Sequence, residues 1–386
     1  MTALSSTSSL PSKSSVTCRR MARVLLVDPF LEGSHRAWAD GLAAYSEHEV
    51  VQLGLENGSW RERMRRGSQL LAERAAAEEI SADVLLVTDM LDLPVFLALT
   101  RPRFSRVPIL AYFHENQFTY PRIRQERLNS WFGQMNYATA LAADVVAFNS
   151  EFHRTEFLRA LRAFESIPNN WYRPGSADVI ERKSIVLPPG IDLRPLELPE
   201  PVPRNERQIV WNARWEFDKG PTMLARLLTR LVAEGVRFTV ALAGDPGPNP
   251  DRSLFALRDA LGERVVHFGF APDRRQYARL LWSSGVVLST ARHEFFGLGF
   301  LEAMACGCVP LAPAAQNYPD IVPEEWHGRC LYADEEEAAE KIAAVLDDPP
   351  PREPFRAAAA AYDWERVAPR WDALFGALLG AGAGIG

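Results

Sequence analysis

The stretch PLELPEPVPRNERQIVWNARW (195–215) divides the chain into two parts of the same kind. Closely spaced prolines suit neither a helix nor a central strand, so residues 196–206 are predicted to be a linker. The apolar run QIVWNARW (208–215) follows, and strand-like and helix-like segments then alternate as they do before the prolines. This restart predicts two α/β domains, at 21–195 and 207–375, joined by a Pro-rich hinge.

Short apolar runs that end at polar turns are typical of central strands in a parallel sheet, which are buried on both faces. In the first half they lie at 22–28, 82–89, 107–115, 143–150 and 184–190, and in the second at 208–215, 237–245, 265–270, 285–291 and 308–313. Helix-like stretches such as 59–80 and 126–142 lie between them. Each half is therefore predicted to be a doubly wound, Rossmann-like domain. Ligands of such sheets bind at the carboxyl ends of the strands, which predicts a cleft between the domains.

The composition is that of an ordinary soluble protein, with 47% hydrophobic and 24% charged residues. The net charge is −6, and residues 201–386 carry most of the negative excess. This distribution argues against binding of nucleic acid through the overall charge of the protein. A local basic surface on the nearly neutral first half is still compatible with it. No segment approaches the roughly 18 apolar residues of a membrane span, so no membrane partner is expected.

Four cysteines in so long a chain indicate buried thiols in a reducing cytoplasm rather than a disulfide scaffold. The Ser-rich residues 1–20 lack the apolar stretch of a secretory signal, so they and residues 376–386 are predicted to be tails. The protein is expected to be cytoplasmic. Nothing in the sequence indicates an oligomeric state.

The sharpest motif is EFFGLGFLE (294–302), which follows a predicted strand. A helix is predicted to begin near Gly297, and its glycine-flanked N-terminus offers backbone N–H groups and a positive dipole end to a phosphate. The donor-binding residues predicted here are Phe295, Phe296, Gly297 and Leu298. Glu294 is predicted to accept hydrogen bonds from the hydroxyls of the donor sugar, and Glu302 is predicted to accept them from the hydroxyls of a ribose. The alternative is a solvated acid and a capping acid beside an ordinary helix.

A second motif, NARWEFDKG (212–220), places Arg214 and Lys219 after the first strand of the second domain. Two fixed cations at this point would stabilise a diphosphate leaving group as its charge develops. The alternative is surface charge in a βα loop, paired with Glu216 and Asp218. No D-x-D pair occurs in the sequence. The pair of carboxylates that usually binds a diphosphate-bound metal is therefore missing. Arg214 and Lys219 are expected to act without a metal.

A third cluster, AYFHENQFTYP (111–121), follows a strand of the first domain. His114 is predicted to face the donor and to bond a sugar hydroxyl or stabilise charge near the anomeric carbon. The acceptor-side residues are predicted to be Glu115, Asn116, Gln117 and Arg122. The alternative for His114 is a structural histidine bonded to the backbone.

Two glycine turns complete the predicted donor site. In DPFLEGSHRAW (28–38), Gly33 would let the backbone approach the donor phosphates, and Ser34 would cap the following helix. In GDPGPNP (244–250), Gly244 supplies a turn near the base or a phosphate, or only a loop.

Taken together, these residues resemble a known family. Arg214 and Lys219, the seven-residue spacing between Glu294 and Glu302, and the segments PPGID (188–192) and LAGD (242–245) look like the retaining glycosyltransferases of family 4, which have the GT-B fold. The resemblance extends through the first domain to the tRNA-queuosine α-mannosyltransferases, in the segments GSH (33–35), YFHENQFTYP (112–121), ADVVAFNSEFH (143–153) and RWEFDKGP (214–221).

The resemblance implies transfer of mannose from GDP-mannose to the cyclopentene-diol of queuosine in the anticodon of tRNA-Asp. It implies that Arg214 and Lys219 hold the diphosphate, with Gly33 near the phosphates. Glu294 would hold the donor sugar, and His114 would lie beside it. The mechanism expected from the resemblance is front-face transfer with retention, without a protein base or a cofactor.

Two rival functions stay open from the sequence. One is a family-4 transferase that acts on a lipid, a glycan or a small molecule, and the other is a non-catalytic nucleotide-sugar sensor. For tRNA, the Arg-rich stretches 61–66, 101–106 and 122–127 are candidate phosphate contacts, or else solvated helix faces and loops.

Overall fold

Two parallel six-stranded sheets form the core of the computed structural model, which describes residues 21–55, 58–120, 130–168, 171–247 and 252–382. The first sheet contains β1 (Arg23–Asp28), β2 (Glu49–Gly54), β3 (Val84–Thr88), β4 (Ile109–Phe113), β5 (Val145–Phe148) and β6 (Ser184–Val186). The second contains β7 (Asn205–Asn212), β8 (Thr239–Ala243), β9 (Val265–Gly269), β10 (Ser284–Leu288), β11 (Val309–Pro313) and β12 (Leu331–Tyr332).

Helices cover the sheets of both domains. Those of the first half are α1 (Gly33–Tyr45), α2 (Trp60–Ala77), α3 (Leu93–Leu99), α4 (Ser130–Ala142), α5 (Glu151–Glu165) and α6 (Ser176–Arg182). Those that follow are α7 (Pro221–Ala233), α8 (Arg252–Leu261), α9 (Arg274–Ser283), α10 (Leu298–Ala305), α11 (Tyr318–Ile321), α12 (His327–Cys330), α13 (Glu335–Asp347), α14 (Glu353–Ala360) and α15 (Trp364–Gly382). Short 3₁₀ turns lie at Arg194–Leu196, Phe217–Lys219, Gly262–Arg264 and Glu324–Trp326.

The strand order locates the ligand crevice of each domain. The first sheet runs β2-β1-β3-β4-β5-β6, and the second runs β12-β11-β10-β7-β8-β9, the order of a dinucleotide-binding Rossmann domain. The chain reverses its direction across the sheet between β1 and β3 in the first domain and between β7 and β10 in the second. Ligands bind at such switch points, so the loops after these four strands are the ones that matter.

The predicted apolar runs all contain strands, but two strands were missed. β2 is half exposed along most of its length, and β12 has only two residues. β6, a short edge strand of three residues, lies at the start of the predicted run 184–190. Edge strands are buried on one face or for a short length, so their sequences lack a continuous apolar run. The central strands β3, β4 and β10 are buried at every position, and each of them lies in a predicted apolar run.

The C-terminal helix α15 returns to the first domain, which corrects the predicted tail at 376–386. The helix continues to Gly382, and Trp371, Phe375 and Leu378 pack against the first sheet. Trp364 lies against Gly41 and Gly190 so closely that a Cβ on either glycine would overlap its ring. The buried side chains of α15 from Trp364 to Leu378 are therefore part of the first domain's core.

The Pro-rich connection is anchored at its beginning. Leu196 is 3% exposed within the second domain's core, and its carbonyl accepts a hydrogen bond of 2.7 Å from the indole N–H of Trp282. The connection therefore belongs to the second domain from its first residues. Within the described residues, none of the helices has the length and apolar character needed to cross a bilayer.

Candidate active site

The loops after β7 and β10 bring Lys219 and Glu294 together at the switch point of the second domain. The ammonium nitrogen of Lys219 lies 3.1 Å from Oε2 of Glu294 and 3.2 Å from Oδ2 of Asp218. It also donates to the carbonyl of His293 at 3.1 Å. The side chain of Lys219 is only 13% exposed, so these oxygens replace most of its hydration. The two motifs predicted to form one site do lie together.

Gly220 allows the two loops to meet. Its φ is +68°, and a Cβ there would lie 2.0 Å from the carbonyl oxygen of Thr290. The hydroxyl of Thr290 in turn donates to the carbonyl of Lys219 at 2.9 Å, and the N–H of Arg292 donates to the carbonyl of Asp218 at 2.7 Å. The backbone around Lys219 is therefore fixed to the β10 loop before any ligand binds.

The surroundings of Lys219 and Glu294 favour the charged form of each side chain. Burial opposes the ammonium form of Lys219, but the carboxylates of Glu294 and Asp218 outweigh it and raise the pKa of Lys219. Burial likewise opposes the ionised form of Glu294, but the nearby charge and hydrogen bond of Lys219 lower the pKa of Glu294. Lys219 thus remains a cation and Glu294 a carboxylate.

Glu294 also orders the start of α10. Its Oε1 accepts the N–H groups of Gly297 at 3.1 Å and Phe296 at 3.3 Å. Gly297 has a φ of +96° and precedes the helix. Among the described residues, the N–H groups of Leu298 and Gly299 donate to no protein acceptor. Such first-turn donors are available to a phosphate.

The rings of Phe295 and Phe296, two of the predicted donor-binding residues, are 4% and 5% exposed, so both are packed into the protein. Contact of either residue with a donor stays a prediction. The side chain of Leu298 is half-buried against the second core.

Glu302, on α10, is held by two neighbouring side chains. Tyr277 donates to its Oε2 at 2.8 Å, and Arg274 donates to its Oε1 at 2.9 Å. Asn212, the last residue of β7, donates to the hydroxyl of Tyr277 at 2.9 Å and to the carbonyl of Gly299 at 2.6 Å. The carboxylate predicted to bind a ribose is thus oriented, and it is 15% exposed.

Arg214 extends from the same loop as Lys219 but is more accessible, with 58% of its side chain exposed. In this structure its guanidinium contacts Glu216 at 3.4 Å. Gly244 lies beneath the neighbouring backbone, since a Cβ there would meet the carbonyl oxygen of Ala213 at 1.8 Å. The structure therefore gives Gly244 a packing role next to Arg214.

The first domain presents an acid–imidazole pair after β1. Nδ1 of His35 lies 2.7 Å from Oδ2 of Asp28, a carboxylate with no exposed surface. Gly33 begins α1 with a φ of +54° and has open space above its Cα. The N-cap of α1 is Glu32, so the prediction that Ser34 caps the helix is wrong. Ser34 lies inside the first turn and is exposed.

Burial opposes the imidazolium form of His35, but Asp28, with Asp89 and Glu115 further away, outweighs it and raises the pKa of His35 to about 9. The imidazole of His35 lies 4.2 Å, centroid to centroid, from that of His114. Burial and the neighbouring His35 charge lower the pKa of His114 well below its ordinary value. One imidazole is therefore charged and the other neutral at pH 7.

His114, directly after β4, is held by hydrogen bonds to its backbone. Its backbone is held by Asp89, which accepts the N–H of His114 at 2.9 Å, and by Asn149, which donates to its carbonyl at 2.8 Å. Nε2 of His114 is buried and, among the described residues, has no hydrogen-bond partner. A buried polar atom without a partner is costly, so a substrate group is a natural partner for it.

The groups of Asp28, His35 and His114 lie within 4.8 Å of one another, a spacing at which metal ligands also occur. Two ligands of one tetrahedral ion, each about 2.0 Å from it, would be about 3.3 Å apart. The 2.7 Å between Asp28 and His35 is shorter and is that of a charge-assisted hydrogen bond.

The predicted acceptor-side residues that the structure describes have local hydrogen-bonding roles, and their contact with an acceptor stays a prediction. Asn116 is fully buried, and its amide oxygen accepts the N–H groups of Phe118 and Thr119 at 3.0 and 3.1 Å, so it shapes the turn. Glu115 accepts from Gln117 at 2.9 Å, and both are half-buried. Arg122 lies outside the described residues.

Glu115 belongs to the same crevice as the second domain's cations. Burial raises the pKa of Glu115, and the charges of His35, Arg214 and Lys219 partly offset that rise. The loops of the two domains therefore face a common cleft at Glu115.

Direct contacts hold the two sides of this cleft together. The hydroxyl of Ser150, at the start of α5, donates to the carbonyl of Phe295 at 2.6 Å. The imidazole of His153 stacks on the Phe295 ring with 4.0 Å between centroids. The loop after β10, which carries Glu294, is thus anchored to the first domain.

Sequence reasoning missed several of these groups. Asp28 and Asp89 are buried carboxylates at the ends of β1 and β3. His35 lies in the first turn of α1, the helix that follows β1. An acid that ends an otherwise apolar strand was the available signal, since it lies at the edge where ligands bind. The pairing of Arg274 and Tyr277 with Glu302 had no local signal.

The second domain identifies the class of protein. Residues 198–362 match the family model described as Glycosyl transferases group 1. Sucrose-phosphate synthase from Thermosynechococcus elongatus has the same fold, with a TM-score of 0.71 at 18% identity over 94% of this chain and 100% of that one. The protein is a glycosyltransferase with the GT-B fold, as predicted.

The first domain narrows the class to a family. Residues 23–191 match the family model described as tRNA-queuosine alpha-mannosyltransferase N-terminal. The tRNA-queuosine alpha-mannosyltransferase of Drosophila melanogaster is 31% identical over 315 residues, which cover 78% of this chain and 82% of that protein. The chain therefore belongs to the tRNA-queuosine α-mannosyltransferase family.

A more distant relative has a different kind of acceptor in its name. The GDP-mannose:cellobiosyl-diphosphopolyprenol alpha-mannosyltransferase of Xanthomonas campestris is 24% identical over 356 residues, covering 89% of this chain and 87% of that protein. The two relatives share mannose transfer and differ in acceptor.

Proposed function

We propose that this protein transfers mannose from GDP-mannose to queuosine in the anticodon loop of tRNA-Asp, with retention of the anomeric configuration. The observation that carries the proposal is the Lys219–Glu294 contact of 3.1 Å at the switch point, in a chain whose first domain matches the N-terminal model of this family. The names of both curated relatives support mannose as the sugar, and the name of one supports GDP-mannose as the donor.

The proposed site uses charges that the protein itself supplies. Lys219 and Arg214 neutralise the diphosphate, and the N–H groups of Leu298 and Gly299 bind a phosphate oxygen at the start of α10. Glu294 accepts hydrogen bonds from the mannose hydroxyls, and Glu302 binds the ribose. No metal or other cofactor takes part in this scheme.

The proposed reaction is a front-face transfer. The bond between the anomeric carbon and the β-phosphate oxygen breaks as the acceptor hydroxyl oxygen forms its bond on the same face. The hydroxyl proton passes to the departing phosphate oxygen, and the products are mannosylated tRNA and GDP. His114, whose imidazole is neutral and whose Nε2 has no hydrogen-bond partner among the described residues, contacts a hydroxyl of the transferred sugar. The proposed location of the reaction is the cytoplasm, a reducing compartment that suits the free, buried thiols of Cys306, Cys308 and Cys330.

A radiolabelled-sugar assay tests the proposal. Purified protein is offered GDP-mannose or UDP-glucose, each with tRNA that contains or lacks queuosine. We expect label to enter tRNA only with GDP-mannose and queuosine. Label entering a polyprenol-linked acceptor instead, or donor binding without transfer or hydrolysis, would replace the proposal with one of its rivals.

A further inference from the structure

An aromatic surface lies exposed on the first domain, where α2 and α4 begin. The rings of Trp60 and Trp131 are 45% and 38% exposed. Both pack against the buried ring of Phe132, with centroids 5.6 Å and 5.1 Å from it. Large apolar side chains that stay exposed side by side commonly mark a binding surface.

The same surface carries arginines. The guanidinium carbon of Arg61 lies 4.8 Å from the centroid of the Trp60 ring. Arg65 is exposed one turn further along α2. Arg66 is partly neutralised by Glu62 at 3.5 Å. We call Trp60, Arg61, Arg65 and Trp131 the aromatic–arginine patch.

This patch is continuous with the proposed active site. Met64, on the next turn of α2, packs with Phe132 and Phe30 in one buried cluster. Arg63 stacks over Phe30 at 4.4 Å and donates to Glu32, the residue that precedes α1. The patch therefore adjoins the loop that carries Gly33, at the side of the cleft.

We propose that the aromatic–arginine patch binds single-stranded RNA, with unpaired bases stacked on Trp60 and Trp131 and phosphates contacting Arg61 and Arg65. This inference rests on the proposed function, because it concerns how the anticodon loop is presented to the site. Unpaired loops are the parts of RNA whose bases can stack on aromatic side chains and arginine planes.

An anionic membrane is the competing partner, since basic and aromatic side chains also suit a lipid surface. The buried side of α2 argues for RNA. Met64 and Phe132 are already packed inside the domain, leaving two exposed rings rather than a continuous apolar face. Isolated rings beside cations fit stacked bases better than acyl chains.

Direct binding measurements test the patch. A fluorescent anticodon stem-loop RNA is titrated by fluorescence anisotropy against the wild type, Trp60→Ala/Trp131→Ala and Arg61→Ala/Arg65→Ala. We expect the tryptophan variant to raise Kd by about tenfold or more with little change in salt dependence. We expect the arginine variant to reduce the slope of log Kd against log salt by about 1.4, since each phosphate contact contributes about 0.7.

Trp171→Ala is the matched control, because this indole is 82% exposed in the same domain but lies outside the patch. It should leave Kd unchanged. GDP affinity and melting temperature, measured for every variant, confirm that the folded donor site persists. The arginine pair lies on the solvent side of α2, so its result stands even if loss of both indoles disturbs packing.

The outcomes separate this inference from the proposed function. Transfer to queuosine-containing tRNA with normal RNA affinity in both patch variants overturns the patch and leaves the function intact. Absence of wild-type transfer to tRNA overturns the function itself. Wild-type binding to vesicles of phosphatidylglycerol and phosphatidylcholine, without binding to the RNA, overturns the inference in favour of a membrane.

Discussion

Nδ1 of His35 lies 2.7 Å from Oδ2 of Asp28, so the first domain brings a buried ion pair to the edge of the cleft. The charges of His35 and Lys219 both partly offset the rise in the pKa of Glu115 that burial causes. The ion pair explains how two imidazoles can lie 4.2 Å apart, centroid to centroid, because only the one bonded to Asp28 is charged. The groups that face His35 are Asp28, Asp89, Glu115 and His114.

The first prediction concerns the charge of His35. Its pKa is about 9 in the folded protein, above the unfolded value of about 6.5. Its contribution to the free energy of unfolding is therefore complete below pH 6.5 and is lost as pH rises through 9; it amounts to about 3 kcal/mol at most. NMR titration of the histidine ring resonances should detect this pKa in the wild type.

Asp28→Asn should lower the pKa of His35 towards its ordinary value or below, because burial is then opposed only by the more distant Asp89 and Glu115. Asp40→Asn, an exposed carboxylate on the same helix, is the control and should leave the titration unchanged. An unshifted His35 in Asp28→Asn would show that the ion pair does not set its charge.

The second prediction concerns Lys219. Lys219→Ala should lower kcat by at least about 100-fold, because a fixed cation beside the leaving diphosphate stabilises the transition state more than the ground state. Initial rates of mannose transfer measure the effect. Arg226→Ala, an exposed arginine on α7 paired with Glu335, should have normal rates. Near-normal turnover of Lys219→Ala would refute its role.

The third prediction concerns the glycine that joins the two donor loops. Gly220→Ala places a methyl group 2.0 Å from the carbonyl of Thr290 at a φ of +68°, so the loop must shift. We expect an unfolding free energy lower by about 1–3 kcal/mol and weaker GDP binding. Gly235→Ala has a similar φ of +77° but open space around it, and it isolates the cost of the backbone conformation. Equal losses in both variants would mean that the contact with Thr290 is unimportant.

The fourth prediction concerns the returning helix α15. Trp371 is fully buried against the first sheet, so Trp371→Ala should cost about 3–5 kcal/mol of unfolding free energy. Urea denaturation monitored by circular dichroism measures it. Arg366→Ala, exposed on the same helix, is expected to change stability by less than about 0.5 kcal/mol. A small effect of Trp371→Ala would show that the helix is not part of the first domain's core.

The local pattern of the chain was enough to predict two parallel α/β domains and the proximity of Lys219 and Glu294, the residues proposed to hold the donor. Central strands are buried on both faces, so they can be recognised in the sequence as apolar runs. Lys219 and Glu294 each follow such a run. Edge strands such as β2 are half exposed, and their sequences carried no comparable signal.

Contacts between distant segments were decided only by the folded chain. Glu302 is held by Arg274 and Tyr277, and α15 packs on a sheet that begins more than three hundred residues earlier, because tertiary packing joins surfaces that have no shared sequence pattern. The charge of His35 has the same origin. An imidazole takes its pKa from its surroundings, and the carboxylate of Asp28 becomes its neighbour only when β1 and α1 are folded together.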